Sequence, residues 1–155
     1  SKDIPEGTGS EAVALSSRLL ALQLLRSIVA DSGHAFRSSK QFIFGMKTHL
    51  APTLVTCCLG TSTVAMDISL QIFDILIRRD SSRAWLKFEL ETLFTTVILR
   101  FLESPTAGYL RRRRAILFLA SIFEEPQVMV DFFVNYDCDM SSPHIFSRSV
   151  MALTS

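Results

Sequence analysis

Apolar residues recur at three- and four-residue steps along almost the whole chain, and no other feature restricts its fold so tightly. Leu15, Leu19, Leu22, Leu25, Ile28 and Val29 predict a first helix that stops near Gly33. Ser38 or Ser39 is placed to cap a second helix carrying Phe42, Ile43, Met46 and Leu50, with a kink or a fresh start expected at Pro52. After Gly60-Thr61-Ser62, the positions Val64, Ile68, Ile72, Ile75 and Leu76 define a third, ended by Asp80-Ser81-Ser82. A fourth spans about Arg83 to Glu103, with Leu86, Leu90, Leu93, Phe94, Val97, Ile98 and Phe101 along one broad stripe. Ser104-Pro105-Thr106 breaks it, and a fifth follows from Tyr109 to Phe123 through Ile116, Leu117, Ala120 and Ile122. Glu125-Pro126 opens a short sixth helix, and a last one runs from Pro143 to about Leu153.

Seven helices joined by short turns, with no convincing strand pattern, predict an all-α protein. Thr95-Thr96-Val97-Ile98 is β-branched, but it lies inside a helical stripe that outweighs local propensity. Seven apolar stripes exceed what one four-helix core uses, so the expected architecture is an armadillo- or HEAT-like stack of about seven helices. A chain of 155 residues, 48% of them hydrophobic, supports one domain with a real core. The expected division is a disordered leader over residues 1–10, where two Gly and one Pro carry no apolar period, and a single helical domain over 11–155.

A formal net charge of +1 argues against a dedicated nucleic-acid binder. Three cysteines, two of them the adjacent pair Cys57-Cys58, match neither a closed set of bridges nor a zinc site, and fit a reducing, cytosolic setting. The most apolar stretch, Leu90 to Leu102, is interrupted by Glu91 and Arg100, so membrane association is expected to be peripheral. His34, His49 and His144 stand apart from any nucleophile or carboxylate in a recognisable motif, and there is no phosphate-binding Gly-rich loop or metal-binding helix motif. Neither catalysis nor a cofactor is expected.

Polar chemistry concentrates instead at Asn135-Tyr136-Asp137-Cys138-Asp139, between the apolar run Val128 to Val134 and Ser142-Pro143-His144-Ile145-Phe146. Such a knot closes one helix and opens another. Asp139, Ser141 or Ser142 can accept from free amides at the new helix start, with Pro143 suited to the first helical position. In the structural reading, Asn135, Asp137 and Asp139 satisfy backbone donors, Tyr136 packs its ring, and Cys138 is a small buried apolar group. In the other reading, an exposed Tyr and two carboxylates form a docking patch. The two are compatible, because a rigidly capped loop makes a better contact surface.

The knot, read with Val130 to Val134 before it and Ile145-Phe146 after it, resembles the HUS box of the large Golgi guanine-nucleotide exchange factors for ARF GTPases, of the brefeldin-A-inhibited and fungal late-Golgi type. Leu20-Ala21-Leu22-Gln23-Leu24-Leu25, Gly33-His34-Ala35-Phe36-Arg37 and Glu124-Glu125-Pro126-Gln127-Val128 resemble the same domain. The resemblance implies a helical-repeat scaffold. It also implies that Asn135, Tyr136, Asp137, Cys138 and Asp139 take part in communication with the preceding amino-terminal dimerisation domain. Exchange catalysis would lie in a separate domain further along the polypeptide, and the expected partners are other domains of the same factor and ARF-family GTPases on trans-Golgi membranes. A generic armadillo-type adaptor that binds a peptide or helix is the alternative of another class.

Arg111-Arg112-Arg113-Arg114 lies outside that resemblance. Four consecutive helical residues fan through about 300°, so at most two or three can face one anionic surface, and a solvated helix face is the favoured reading. Trp85, beside Arg83 and Lys87, reads as a core or staple residue in preference to an interface anchor. Glu124-Glu125 is accounted for by its place at a helix start.

Overall fold

The computed structural model describes residues 7–154, which form nine helices and no strand. In chain order they are α1 (Gly7–Asp31), α2 (His34–Arg37), α3 (Lys40–Leu59), α4 (Thr63–Ile77), α5 (Asp80–Trp85), α6 (87–103), α7 (Tyr109–Phe123), α8 (126–137) and α9 (Ile145–Thr154). Several starts follow from capping chemistry: Ser39 accepts from the Phe42 amide at 3.1 Å and Ser62 from the Ala65 amide at 3.2 Å, while Pro126 opens α8.

The helix count departs from seven for two reasons. The Gly33 junction folds into the single turn of α2, and the expected helix over Arg83 to Glu103 is divided at Leu86, a buried residue with φ −94° and ψ 12°. α1 begins at Gly7, inside the stretch read as a leader, and the rest of that stretch falls on residues 1–6, outside the described residues. Pro52 stands at the second position of the α-helical segment Ala51–Leu59 within α3. A π-helical turn over Met46–Leu50 immediately precedes it, and the helix continues to Leu59. In α7 the inward face is Ala115, Phe118, Leu119 and Ile122, whereas Ile116, Leu117 and Ala120 point outward. The expected stripe mixed two faces, and the true one keeps strict i, i+3, i+4, i+7 spacing.

Contacts between elements run in two files. α1, α4 and α7 touch in succession, as do α3, α6 and α9, and the files are joined where α3 meets α4, α6 meets α7 and α8 meets α7 and α9. Between them lies a continuous core that includes Leu54, Cys58, Ile72, Phe73, Leu76, Leu90, Phe94, Val97, Ile98, Leu119 and Phe132.

Helix C-termini leave carbonyls without an intrahelical partner. The helices α1, α3, α4 and α7 have no basic residue in their own last turn, and each receives an arginine from elsewhere. Arg79 donates to the Val29 and Ala30 carbonyls at 2.6 and 2.7 Å, closing α1. Arg111 donates to the carbonyls of Cys58 at 3.5 Å, Leu59 at 3.4 Å and Gly60, closing α3, and its guanidinium lies 5.4 Å from the centre of the Phe101 ring. Arg83 donates to Ile77 at 2.6 Å at the end of α4, and Arg78 to Ser121 at 2.8 Å in the last turn of α7. A cation at this pole also complements the helix dipole.

Candidate functional site

The polar knot is an elbow between α8 and α9 that rests on the first turn of α6. α8 ends in a π-helical turn over Phe133–Asp137, closed by the Cys138 amide donating to the Phe133 carbonyl at 3.0 Å. This turn lets Tyr136 sit fully buried, its ring 5.3 Å from Phe132 and its hydroxyl donating to the Lys87 carbonyl at 2.9 Å. Burial pushes the Tyr136 phenol well above its ordinary range, with the nearby Glu91 and Glu89 charges adding to the effect.

Asp137 faces the other way, toward α9. Its Oδ2 accepts from the Phe146 amide at 2.8 Å, and its Oδ1 from the Ser147 amide at 2.9 Å and from the Ser147 hydroxyl. These are the second and third residues of α9, so Asp137 does the work of an N-cap from eight positions before the helix begins. Pro143 lies outside the helix, contrary to expectation, because His144 takes a left-handed φ of 49° and the helix opens at Ile145.

Asp139 forms a local turn, its Oδ1 accepting from the Ser141 amide at 3.0 Å and the Ser141 hydroxyl at 2.6 Å. Its Oδ2 receives the Lys87 ammonium at 3.1 Å. The Ser141 hydroxyl, then the Ser141 amide, then Lys87 favour the ionised form and hold the Asp139 carboxyl down at about 2. Lys87 therefore fixes the elbow twice, through its carbonyl and its ammonium.

Two residues of the knot stay on the surface. Asn135 is half-buried and its side chain has no hydrogen-bond partner among the described residues, and Cys138 is exposed, which corrects its reading as a small buried group. Val130, Val134 and Met140 are exposed beside them. Tyr136, read on one interpretation as an exposed docking ring, is interior.

Aromatic contacts brace the elbow from beneath. Phe94 meets Phe132 at 4.9 Å and Phe118 at 6.3 Å, Phe123 meets Phe132 at 6.0 Å and Phe146 at 5.6 Å, and Phe133 meets Phe146 at 6.0 Å, all tilted or edge-on. Such pairs are worth about 0.5–1.5 kcal/mol each beyond the area they bury. Arg83, almost wholly buried, donates to Asp131 at 2.6 Å, and Gln127 holds the other oxygen of that carboxylate at 2.8 Å. Sequence reasoning did not find Asp131, Lys87 or Ser147. Their partners lie 48, 52 and 10 residues away, and no periodicity reports such a pairing.

The arginine run divides. Arg111 caps α3, Arg114 pairs with Asp67, and Arg112 and Arg113 stay exposed. Trp85 is half-buried, edge-on to Phe42 at 6.4 Å, and belongs to the edge of the core. Among the described residues no three His, Cys, Asp or Glu side chains converge on a metal-sized site.

Gly9–Asp31 and Lys40–Leu59 are long and apolar enough to cross a membrane by length and composition, with mean hydropathy 1.5 and 1.3. Charged residues interrupt both, Glu11, Arg18 and Arg26 in the first and Lys47 in the second. α3 sends Met46, Ala51, Leu54, Cys57 and Cys58 into the core. α1 contributes Leu22 and Val29 and leaves Val13, Leu20, Leu24 and Ile28 exposed.

A family model described as Mon2/Sec7/BIG1-like, HUS domain, matches residues 1–145. Brefeldin A-inhibited guanine nucleotide-exchange protein 2 of Arabidopsis thaliana is 31% identical over 150 residues, covering 96% of this chain. Brefeldin A-inhibited guanine nucleotide-exchange protein 1 is 34% identical over 140 residues in both Rattus norvegicus and Homo sapiens, covering 90% of this chain. The chain spans 8% of the length of each of these relatives. No solved structure matches it. With the Asn-Tyr-Asp-Cys-Asp elbow set in an all-helical frame and a family match over nearly its full length, the chain belongs to the Mon2/Sec7/BIG1-like HUS domain family.

Proposed function

We propose that this chain is a non-catalytic regulatory and scaffold domain of a large ARF guanine-nucleotide exchange factor. It works as an armadillo/HEAT-like stack, a reading supported by the two files of successive helix contacts. Exchange chemistry belongs to another domain of the polypeptide. The HUS domain acts by docking on the neighbouring amino-terminal dimerisation domain and on other domains of the same factor. In doing so it biases the factor between less and more active arrangements toward ARF-family GTPases. Its setting is the cytoplasm, peripheral on trans-Golgi membranes. Arg112 and Arg113 are the members of the arginine run free to face an anionic surface.

The observation that carries this reading is the division of labour within the box. Tyr136, Asp137 and Asp139 are committed to internal hydrogen bonds, while Asn135 and Cys138 remain on a surface that includes Val134 and Met140. A shape fixed from within and open side chains outside make a pre-ordered contact. The test measures binding of the chain to the amino-terminal dimerisation domain. Asn135→Ala with Cys138→Ser is expected to weaken it at least tenfold without lowering the melting temperature. Unchanged binding in that variant would overturn the assignment.

The adaptor reading has one observation of its own, a cleft of about 710 Å³ between α1, α4 and α7, walled by Asp31, Asp67, Asp74, Arg26, Arg114 and Leu117 among others. Failure to associate with the dimerisation domain, with the helices intact, favours that reading.

A further inference from the structure

The outward face of α7 carries a stripe that the fold leaves uncovered. Arg113, Leu117, Ala120 and Glu124 follow one another at steps of four, three and four residues, so they line up along one side of the helix. All four are exposed, Leu117 by 52%. Glu124 keeps helical dihedrals, and its amide donates to the Ala120 carbonyl at 3.2 Å, so it continues the helical register. Tyr109 and Ile116 border the stripe on one side and Leu110 on the other, all of them exposed. The neighbours α4, α6 and α8 leave this side open, since the buried residues of α7 are Ala115, Phe118, Leu119 and Ile122.

The charges at the two ends of the stripe are not matched on their own chain. Arg113 makes no hydrogen bond or ion pair among the described residues. Arg78 lies within electrostatic reach of Glu124, but its guanidinium is bonded to Asp74 and Ser121. Turned end for end, the stripe complements itself, with opposite charges at its ends and aliphatic positions at equal distances inside them. Two copies laid antiparallel about a two-fold axis therefore bring Arg113 of each opposite Glu124 of the other. Leu117 then meets Ala120, a large side chain against a small one, which lets the helices approach closely. A parallel arrangement sets like charges together. An anionic bilayer is a poorer occupant, because Glu124 and Glu125 stand exposed at one end of the stripe and oppose a flat approach.

We propose that the outer face of α7 is a self-association surface, on which two copies of this chain pair antiparallel, Arg113 against Glu124 at both ends and Leu117 against Ala120 between them. One helix face is small beside the roughly 1,200–2,000 Å² that stable interfaces bury. The pairing is therefore weak and reversible, and charge complementarity sets its register. It goes beyond the docking assigned to the elbow, none of whose residues lies on the stripe.

Sedimentation equilibrium of the whole chain in lipid-free buffer reads the association directly. The parent is expected to pass from one chain mass toward two with rising concentration, with a dissociation constant of about 100 µM or tighter. Added NaCl is expected to weaken the pairing by screening the end contacts. Arg113→Glu alone and Glu124→Arg alone set like charges opposite each other, and each is expected to weaken association at least tenfold. An equimolar mixture of the two variants restores opposite charges at both ends of every mixed pair, and is expected to associate as tightly as the parent. A parent that keeps one chain mass over that range, association that salt leaves unchanged, single variants that associate like the parent, or a mixture that stays monomeric would overturn the proposal. The parent and its salt dependence need no variant and decide the matter even where a substitution disturbs the fold.

Discussion

Asp137 and Asp139 are two residues apart and serve opposite ends of the same elbow, Asp137 the first turn of α9 and Asp139 the loop at Ser141 and the start of α6. Replacing Asp137 by Ala leaves two amides of α9 without their acceptor. The expected loss is about 1 kcal/mol, or roughly 2–4 °C in melting temperature for a chain of this size, read by circular dichroism. Asp139 acts through its charge. Its folded-state carboxyl titrates near 2, below the ordinary 3.8, so its contribution is complete above the unfolded value, declines as pH falls below it and is gone once pH passes the folded value. The gap in melting temperature between the parent chain and Asp139→Asn is therefore expected at neutral pH and should close as the pH approaches 2. Tyr136→Phe keeps the ring packing and removes one hydrogen bond to Lys87, costing about 0.5–1.5 kcal/mol in denaturant unfolding. The composition of the box made caps legible in the sequence. Which amides they serve was not, because Asp137 reaches over the left-handed turn at His144, a conformation that no helical period announces.

At the scale of elements, the recurring device is an arginine from one segment closing the C-terminus of another. Arg111→Ala removes the donors to the end of α3 and is expected to destabilise the chain by about 1–2 kcal/mol. Arg112→Ala with Arg113→Ala, both exposed, is expected to change stability by less than about 0.5 kcal/mol. The same pair is expected to lower co-sedimentation with anionic liposomes, which Arg111→Ala tests only through the fold. The Arg83–Asp131 pair gives a sharper contrast. Asp131→Ala takes one carboxylate from a buried guanidinium that also donates to the Ile77 carbonyl, and is expected to cost about 1.5–3 kcal/mol in denaturant unfolding. The broad stripe from Leu86 to Phe101 was legible because every third or fourth residue is apolar and the structure buries them all. The face of α7 was not, since Ile116 and Leu117 are as apolar as Phe118 and Leu119 and only the neighbouring helices choose between them. The π-helical turns over Met46–Leu50, Phe94–Ile98 and Phe133–Asp137 shift the face by one residue without any marker in composition.

Across the whole molecule, the two files are tied to each other as firmly as each is along its length, through α3 against α4 and α6 against α7. The elbow occupies the far end of both files, where α6, α7, α8 and α9 converge on the aromatic cluster of Phe94, Phe118, Phe123, Phe132 and Phe146. The central claim is that the HUS box is first a structural lock for that end, and only through its remaining surface a contact for other domains. Hydrogen–deuterium exchange along the entire chain, compared between the parent and Asp137→Ala, tests it most directly. The account predicts slow exchange of the Phe146 and Ser147 amides in the parent, and in the variant faster exchange over Ile145–Thr154 and the first turn of α6 with α1, α3 and α4 unchanged. Rapid exchange of those two amides in the parent, or a variant indistinguishable from it, would contradict the account.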